Sequence, residues 1–130
     1  MISPQPVLET RTQKNQTFLK RLKFAFAGLS EGLRGEHSLR FHAAALVLVA
    51  LLLIVLRPEP VWWAIVALAS SAVISAELFN SALERFADHL HPEQHEQIRV
   101  VKDRAAAAVL IAAAGALGVA AALAVHLWSR

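Results

Sequence analysis

Three stretches of this chain carry no charged residue: Ala43–Leu56, Pro60–Ala76 and Ala105–Val125. A helix that crosses a bilayer needs about 20 predominantly apolar residues. The third block is long enough by itself, and the second nearly is. The first reaches span length by drawing in Leu39–His42, whose Arg40 can snorkel to the interface. Three such blocks in 130 residues leave too few polar faces to solvate a soluble bundle. The 56% hydrophobic content also exceeds that of soluble domains. The expected fold is therefore all-α and integral to a membrane, with three transmembrane helices.

Charge placement points the same way. Of the 13 Lys and Arg, seven precede the first span: Arg11, Lys14, Lys20, Arg21, Lys23, Arg34 and Arg40. Arg85, Arg99, Lys102 and Arg104 fall between the second and third spans. Arg57 alone lies between the first two, and Arg130 ends the chain. Basic residues collect on the cytoplasmic side of a membrane, which predicts a cytoplasmic N-terminus and second loop. Topology and attraction to anionic lipid account for the excess, and no nucleic-acid partner is needed to explain it. The absence of cysteine excludes disulfide and thiol chemistry. Met1–Thr17 has no apolar core of the kind a cleavable signal carries.

The chain reads as a polar, disordered N-terminus over residues 1–17 and one membrane-embedded domain over 18–130. Phe18, Leu22, Ala25, Phe26, Leu29 and Leu33 recur at helical spacing beside Lys20, Arg21 and Lys23. They predict an N-terminal amphipathic surface helix over residues 18–34. Gly32 and Gly35 are expected to loosen it before the first span. The spans are expected at about 39–56, 61–88 with a cytoplasmic extension, and 105–127. Arg57-Pro58-Glu59-Pro60 closes the first pair into a hairpin. Trp62, Trp63 and Trp128 sit at its outer side, as an aromatic belt would. Pro92 ends the second span, His91–Val101 reads as a cytoplasmic loop, and Gly115 and Gly118 offer small faces for close helix packing.

The chemistry concentrates between Glu77 and Asp88. At 100° per residue, Glu77, Asn80, Ser81, Glu84 and Asp88 share one helix face. Like charges in one stripe repel and call for cations nearby. Ionisable groups near membrane depth mark function. Mg²⁺ suits such a stripe, since it takes one or two carboxylates together with phosphate oxygens. A hydrated polar face paired with Arg85, Arg99 or Arg104 is the structural alternative. Glu36 before the first span and Lys102-Asp103 before the third are expected at the same depth, where a Lys suits phosphate. His89, His91 and His95 crowd the second loop, but their spacing of two and four across a Pro is not diagnostic of a metal site, and there is no P-loop and no G-x-G-x-x-G.

Glu77-Leu78-Phe79-Asn80-Ser81-Ala82-Leu83-Glu84, followed by Asp88 and by Lys102-Asp103 before an Ala-rich span, resembles the prokaryotic diacylglycerol kinase family, which includes undecaprenol kinases. The family signature is E-x-x-N-[ST]-A-[IL]-E with K-D about twenty residues on. Phe24-Ala25-Phe26-Ala27-Gly28-Leu29, Glu36 and Arg40-Phe41-His42 resemble the pattern of the undecaprenol kinase branch. The resemblance implies a homotrimer in the bacterial cytoplasmic membrane that moves the γ-phosphate of Mg-ATP to a lipid hydroxyl. It implies Glu77 as general base and Asn80 as a positioning group. Glu36 and Glu84 would be the Mg²⁺ ligands that bridge to nucleotide, and Lys102 and Asp103 nucleotide contacts. The chain departs from the pattern at Ser38, where the family has Asn, and after Lys102-Asp103, where a small Gly is replaced by Ala105–Ala108. The competing expectation is a non-enzymatic channel or transporter subunit whose carboxylates bind cations.

Overall fold

A computed structural model describes residues 17–90, 92, 93 and 95–129. The N-terminal segment expected to be disordered lies, up to residue 16, outside the described residues, as do His91, Gln94 and Arg130. The described chain is helical, in the order α1 (Phe18–Gly35), α2 (His37–Leu56), α3 (Pro60–Leu90) and α4 (Glu96–Trp128).

Helices α2, α3 and α4 are each long and apolar enough to cross a membrane. At 1.5 Å per residue, α2 is about 30 Å long, close to the hydrocarbon thickness, whereas α3 and α4 run to about 45–50 Å. The surplus of α3 and α4 carries most of the polar residues. Helix α3 is the hub: α4 packs on it most extensively, and α2 and α1 also lie against it.

Local sequence explains each boundary. Glu36 is the one extended residue between α1 and α2 (φ −107°, ψ 120°), and its N–H donates to Gly32 O at 2.8 Å. Gly35 ends α1, but Gly32 does not loosen it as expected. Gly32 is buried, and a Cβ there would lie 2.9 Å from Leu39 Cδ2 and 3.1 Å from Leu78 Cδ2. Its missing side chain is what lets α1 approach α2 and α3. Between α2 and α3, Arg57 adopts the left-handed conformation (φ 46°, ψ 53°) and Pro60 opens the next helix. Proline suits that first position, where its missing N–H would have no helical partner.

The loop expected over His91–Val101 is shorter than its polarity suggests, because α4 already begins at Glu96. The His95 ring accepts from the Gln97 N–H, and Glu96 complements the helix N-terminus. Arg99 bridges Glu96 and Asp103 at spacings of three and four. These pairs make a polar stretch helical. A Cβ added at Gly115 or Gly118 would meet nothing within 4 Å, so the close packing expected of them does not occur among the described residues.

The apolar core is small and lies at the hairpin end, where Leu53, Val66 and Leu123 bury against Val49, Trp62, Val119 and Leu127. The ring of Trp62 also rests 5.2 Å from that of His126, whose Nε2 lies 2.8 Å from Glu59 Oε2. Alongside and above this core, α2 and α4 leave open space over α3. The space between them forms apolar grooves of about 310 and 440 Å³, both lined by Val49, Ser70, Ala116 and Ala120.

Candidate active site

Helical periodicity brings Glu77, Asn80, Ser81 and Glu84 to one cavity of about 300 Å³, together with Glu36 and Ser38. Glu77 is the one buried charged residue among those described, with 7% of its surface exposed. A carboxylate at that depth needs hydrogen-bond donors, since an isolated buried charge is costly. Two come from α2, where Ser38 and His42 sit four residues apart on one face. Ser38 Oγ donates to Glu77 Oε1 at 2.6 Å, and His42 Nε2 lies 2.9 Å from the same oxygen.

Glu36 is held similarly. Its Oε1 accepts from Ser81 Oγ at 3.1 Å and from Arg85 Nε and Nη2 at 3.1 and 2.9 Å. Arg85 also pairs with Glu31. It therefore ties α1, the α1–α2 break and α3 together, and Gly35 leaves the space its guanidinium occupies. Glu84 Oε1 accepts from Asn80 Nδ2 at 3.0 Å. Thus each of the three carboxylates is anchored through Oε1, and Oε2 has no hydrogen-bond partner among the described residues. Asn80 Oδ1 is buried without a hydrogen-bond partner. A buried polar atom left unpaired costs about 1–3 kcal/mol, and this one belongs to a residue that lines the cavity.

The remaining predicted residues fall elsewhere. Lys102 and Asp103 line a neighbouring cavity of about 550 Å³ with Asp88, His95 and Arg99. Lys102 pairs with Asp88, and Asp103 accepts from Arg99 Nη1 at 2.7 Å. Asp88 belongs by periodicity to the Glu77 stripe, but one further turn carries it past the first cavity. The single polar mouth expected from the sequence is therefore two adjacent cavities on the same side of the bundle.

Sequence reasoning misses Ser38 and His42 as partners of Glu77. Their i, i+4 spacing at the polar edge of an apolar block is the available signal. Arg85 is expected from sequence as a counter-charge for the carboxylate stripe, but its partners Glu31 and Glu36 lie on other elements.

Residues 23–124 match the family model of the prokaryotic diacylglycerol kinases. The chain belongs to that family. A protein from Synechocystis named diacylglycerol kinase is 32% identical over 114 residues, which cover 87% of this chain and 65% of that protein. A Bacillus subtilis protein named undecaprenol kinase is 30% identical over 106 residues, covering 80% of this chain and 86% of the relative. The chain thus spans slightly less than two thirds of the first relative and most of the second.

Proposed function

We propose that this chain is an ATP- and Mg²⁺-dependent lipid kinase that transfers the γ-phosphate of ATP to the hydroxyl of diacylglycerol or undecaprenol. The observation that carries the reading is Glu77. It is buried between apolar and polar spaces, anchored through one oxygen, and shares a cavity with two further carboxylates and an unsatisfied amide oxygen. The two relatives' names supply the two candidate acceptors.

Phosphoryl transfer demands positioning and charge neutralisation more than covalent work by the protein. In this reading the second oxygen of Glu77 accepts the proton of the lipid hydroxyl, and Asn80 positions the reacting groups. The donor set suits Mg²⁺, since Glu36 and Glu84 bring hard carboxylate oxygens to one cavity. Mg²⁺ held by Glu36 and Glu84 would supply neutralisation of phosphate charge. Lys102 and Asp103 exchange Asp88 and Arg99 for nucleotide, with Lys102 as a point charge on phosphate.

The bilayer is the second partner. Phe18, Leu19 and Phe26 stay exposed on α1 beside Lys20, Arg21 and Lys23, which suits an amphipathic helix at the cytoplasmic interface. The N-terminus is cytoplasmic in this reading, and the membrane is the bacterial cytoplasmic membrane. Broad apolar faces remain on the spans, including Leu51, Leu68, Ile111 and Leu117. In this reading lipid and two further copies of a homotrimer divide them.

The test is transfer of labelled γ-phosphate from Mg-ATP to diacylglycerol and to undecaprenol in separate mixed micelles. The expected result is product with at least one acceptor. No transfer to either, with cation flux through protein-bearing vesicles, overturns the kinase in favour of a channel or transporter subunit.

A further inference from the structure

Glu77 is approached from two kinds of space. Ser38 lines the polar cavity together with Glu36, Asn80 and Glu84. His42, one turn further along α2, instead lines the apolar groove with Phe41, Leu46, Val49 and Leu117. Among the described residues, His42 and Ser70 are the only polar members of that groove's wall, and His42 is the one bonded to a carboxylate. The groove and the carboxylate therefore meet at the imidazole. An N–H at its Nε2 donates to Glu77 Oε1, and the same ring lines the groove.

Resting on the kinase reading, we propose that His42 is a positioning residue for the transfer step. It fixes Oε1 of Glu77 from the lipid side, so that Oε2 is presented to a hydroxyl arriving along the groove. In the step, the hydroxyl O–H bond breaks and its proton passes to Glu77 Oε2. The lipid oxygen bonds to the γ-phosphorus, and the bond from that phosphorus to the β,γ-bridging oxygen breaks to release ADP. His42 neither gains nor loses a proton. Its work is done by orientation, where small misplacement of a reacting group is costly.

Two substitutions separate this from a packing role. His42→Leu keeps volume and removes the donor, while His42→Gln restores an N–H near the position of Nε2. With diacylglycerol and undecaprenol as separate acceptors at saturating Mg-ATP, His42→Leu should lower kcat about ten- to a hundred-fold, the worth of one hydrogen bond to a charged group. KM for ATP should stay unchanged. His42→Gln should recover most of the loss, while both variants elute and unfold like the wild type. Equal kcat in the Leu and Gln variants overturns the proposal, as does a loss in the Leu variant that appears in KM for ATP alone. A Leu variant that unfolds early while the Gln variant does not, with equal kcat per folded molecule, overturns it too. If the unaltered protein transfers phosphate to neither acceptor, the kinase reading itself fails and this inference falls with it. If it does transfer and the histidine variants match it, only the inference falls.

Discussion

Among the described residues the same kind of pair, a histidine against a glutamate, occurs at opposite ends of the bundle. His42 Nε2 lies 2.9 Å from Glu77 Oε1, and His126 Nε2 lies 2.8 Å from Glu59 Oε2. Geometry alone does not separate them. Surroundings do. The Glu77 side chain is 8% exposed and shares its cavity with Glu36, Asn80 and Glu84, whereas that of Glu59 is 42% exposed and sits in the hairpin loop near Trp62. Burial makes each hydrogen bond to Glu77 matter, because water cannot replace a lost donor. At Glu59 water can. One pair belongs to the candidate site, and the other is a clasp that joins the hairpin to the end of α4.

The sharpest way to break this comparison is to neutralise each carboxylate. Glu77→Gln should lower phosphate transfer by about a thousand-fold, within the range of a general base. Glu59→Gln should leave transfer unchanged in the same assay. Comparable losses would erase the distinction between the two ends. Next in size, Glu36→Gln should raise the Mg²⁺ concentration for half-maximal transfer about ten-fold, consistent with the loss of one ligand or of its support. Mn²⁺ binding followed by electron paramagnetic resonance should weaken in parallel. Unchanged metal dependence would remove Glu36 from the metal site. Smaller still, His126→Ala should cost about 0.5–1 kcal/mol of stability, as expected for a partly exposed pair with a ring contact. Thermal unfolding in detergent would register it, with transfer intact. The smallest effect belongs to Arg57. A non-glycine residue in the left-handed conformation is strained by about 1 kcal/mol, so Arg57→Gly should raise stability by at most that amount. A fall in stability instead would mean that the arginine side chain holds the hairpin.

Much of this is legible in sequence because it is local. The Arg57–Pro60 breaker, the three apolar helices and the stripe from Glu77 to Glu84 follow from composition and the 3.6-residue period. Local rules also carry the N-terminal turn of α4. The polarity of Glu96 and Arg99 suggests a loop, yet the spacing of three and four from Glu96 through Arg99 to Asp103 marks a helix. What spacing does not contain is which distant segment supplies the donors. Ser38 and Glu77 are 39 residues apart, and Arg85 and Glu36 are 49 apart.

The sequence by itself determined that this chain forms three helices long and apolar enough to cross a membrane, with a carboxylate face on the middle one, since hydropathy and periodicity are properties of short segments. Only the tertiary structure decided that Ser38 and His42 converge on Glu77, and that Glu36 joins it while Lys102 and Asp103 line the next cavity. It also decided which of two like His–Glu pairs is buried. The physical reason is that burial and hydrogen-bond partnership depend on how α2 and α4 seat on α3, and no single helix specifies that arrangement.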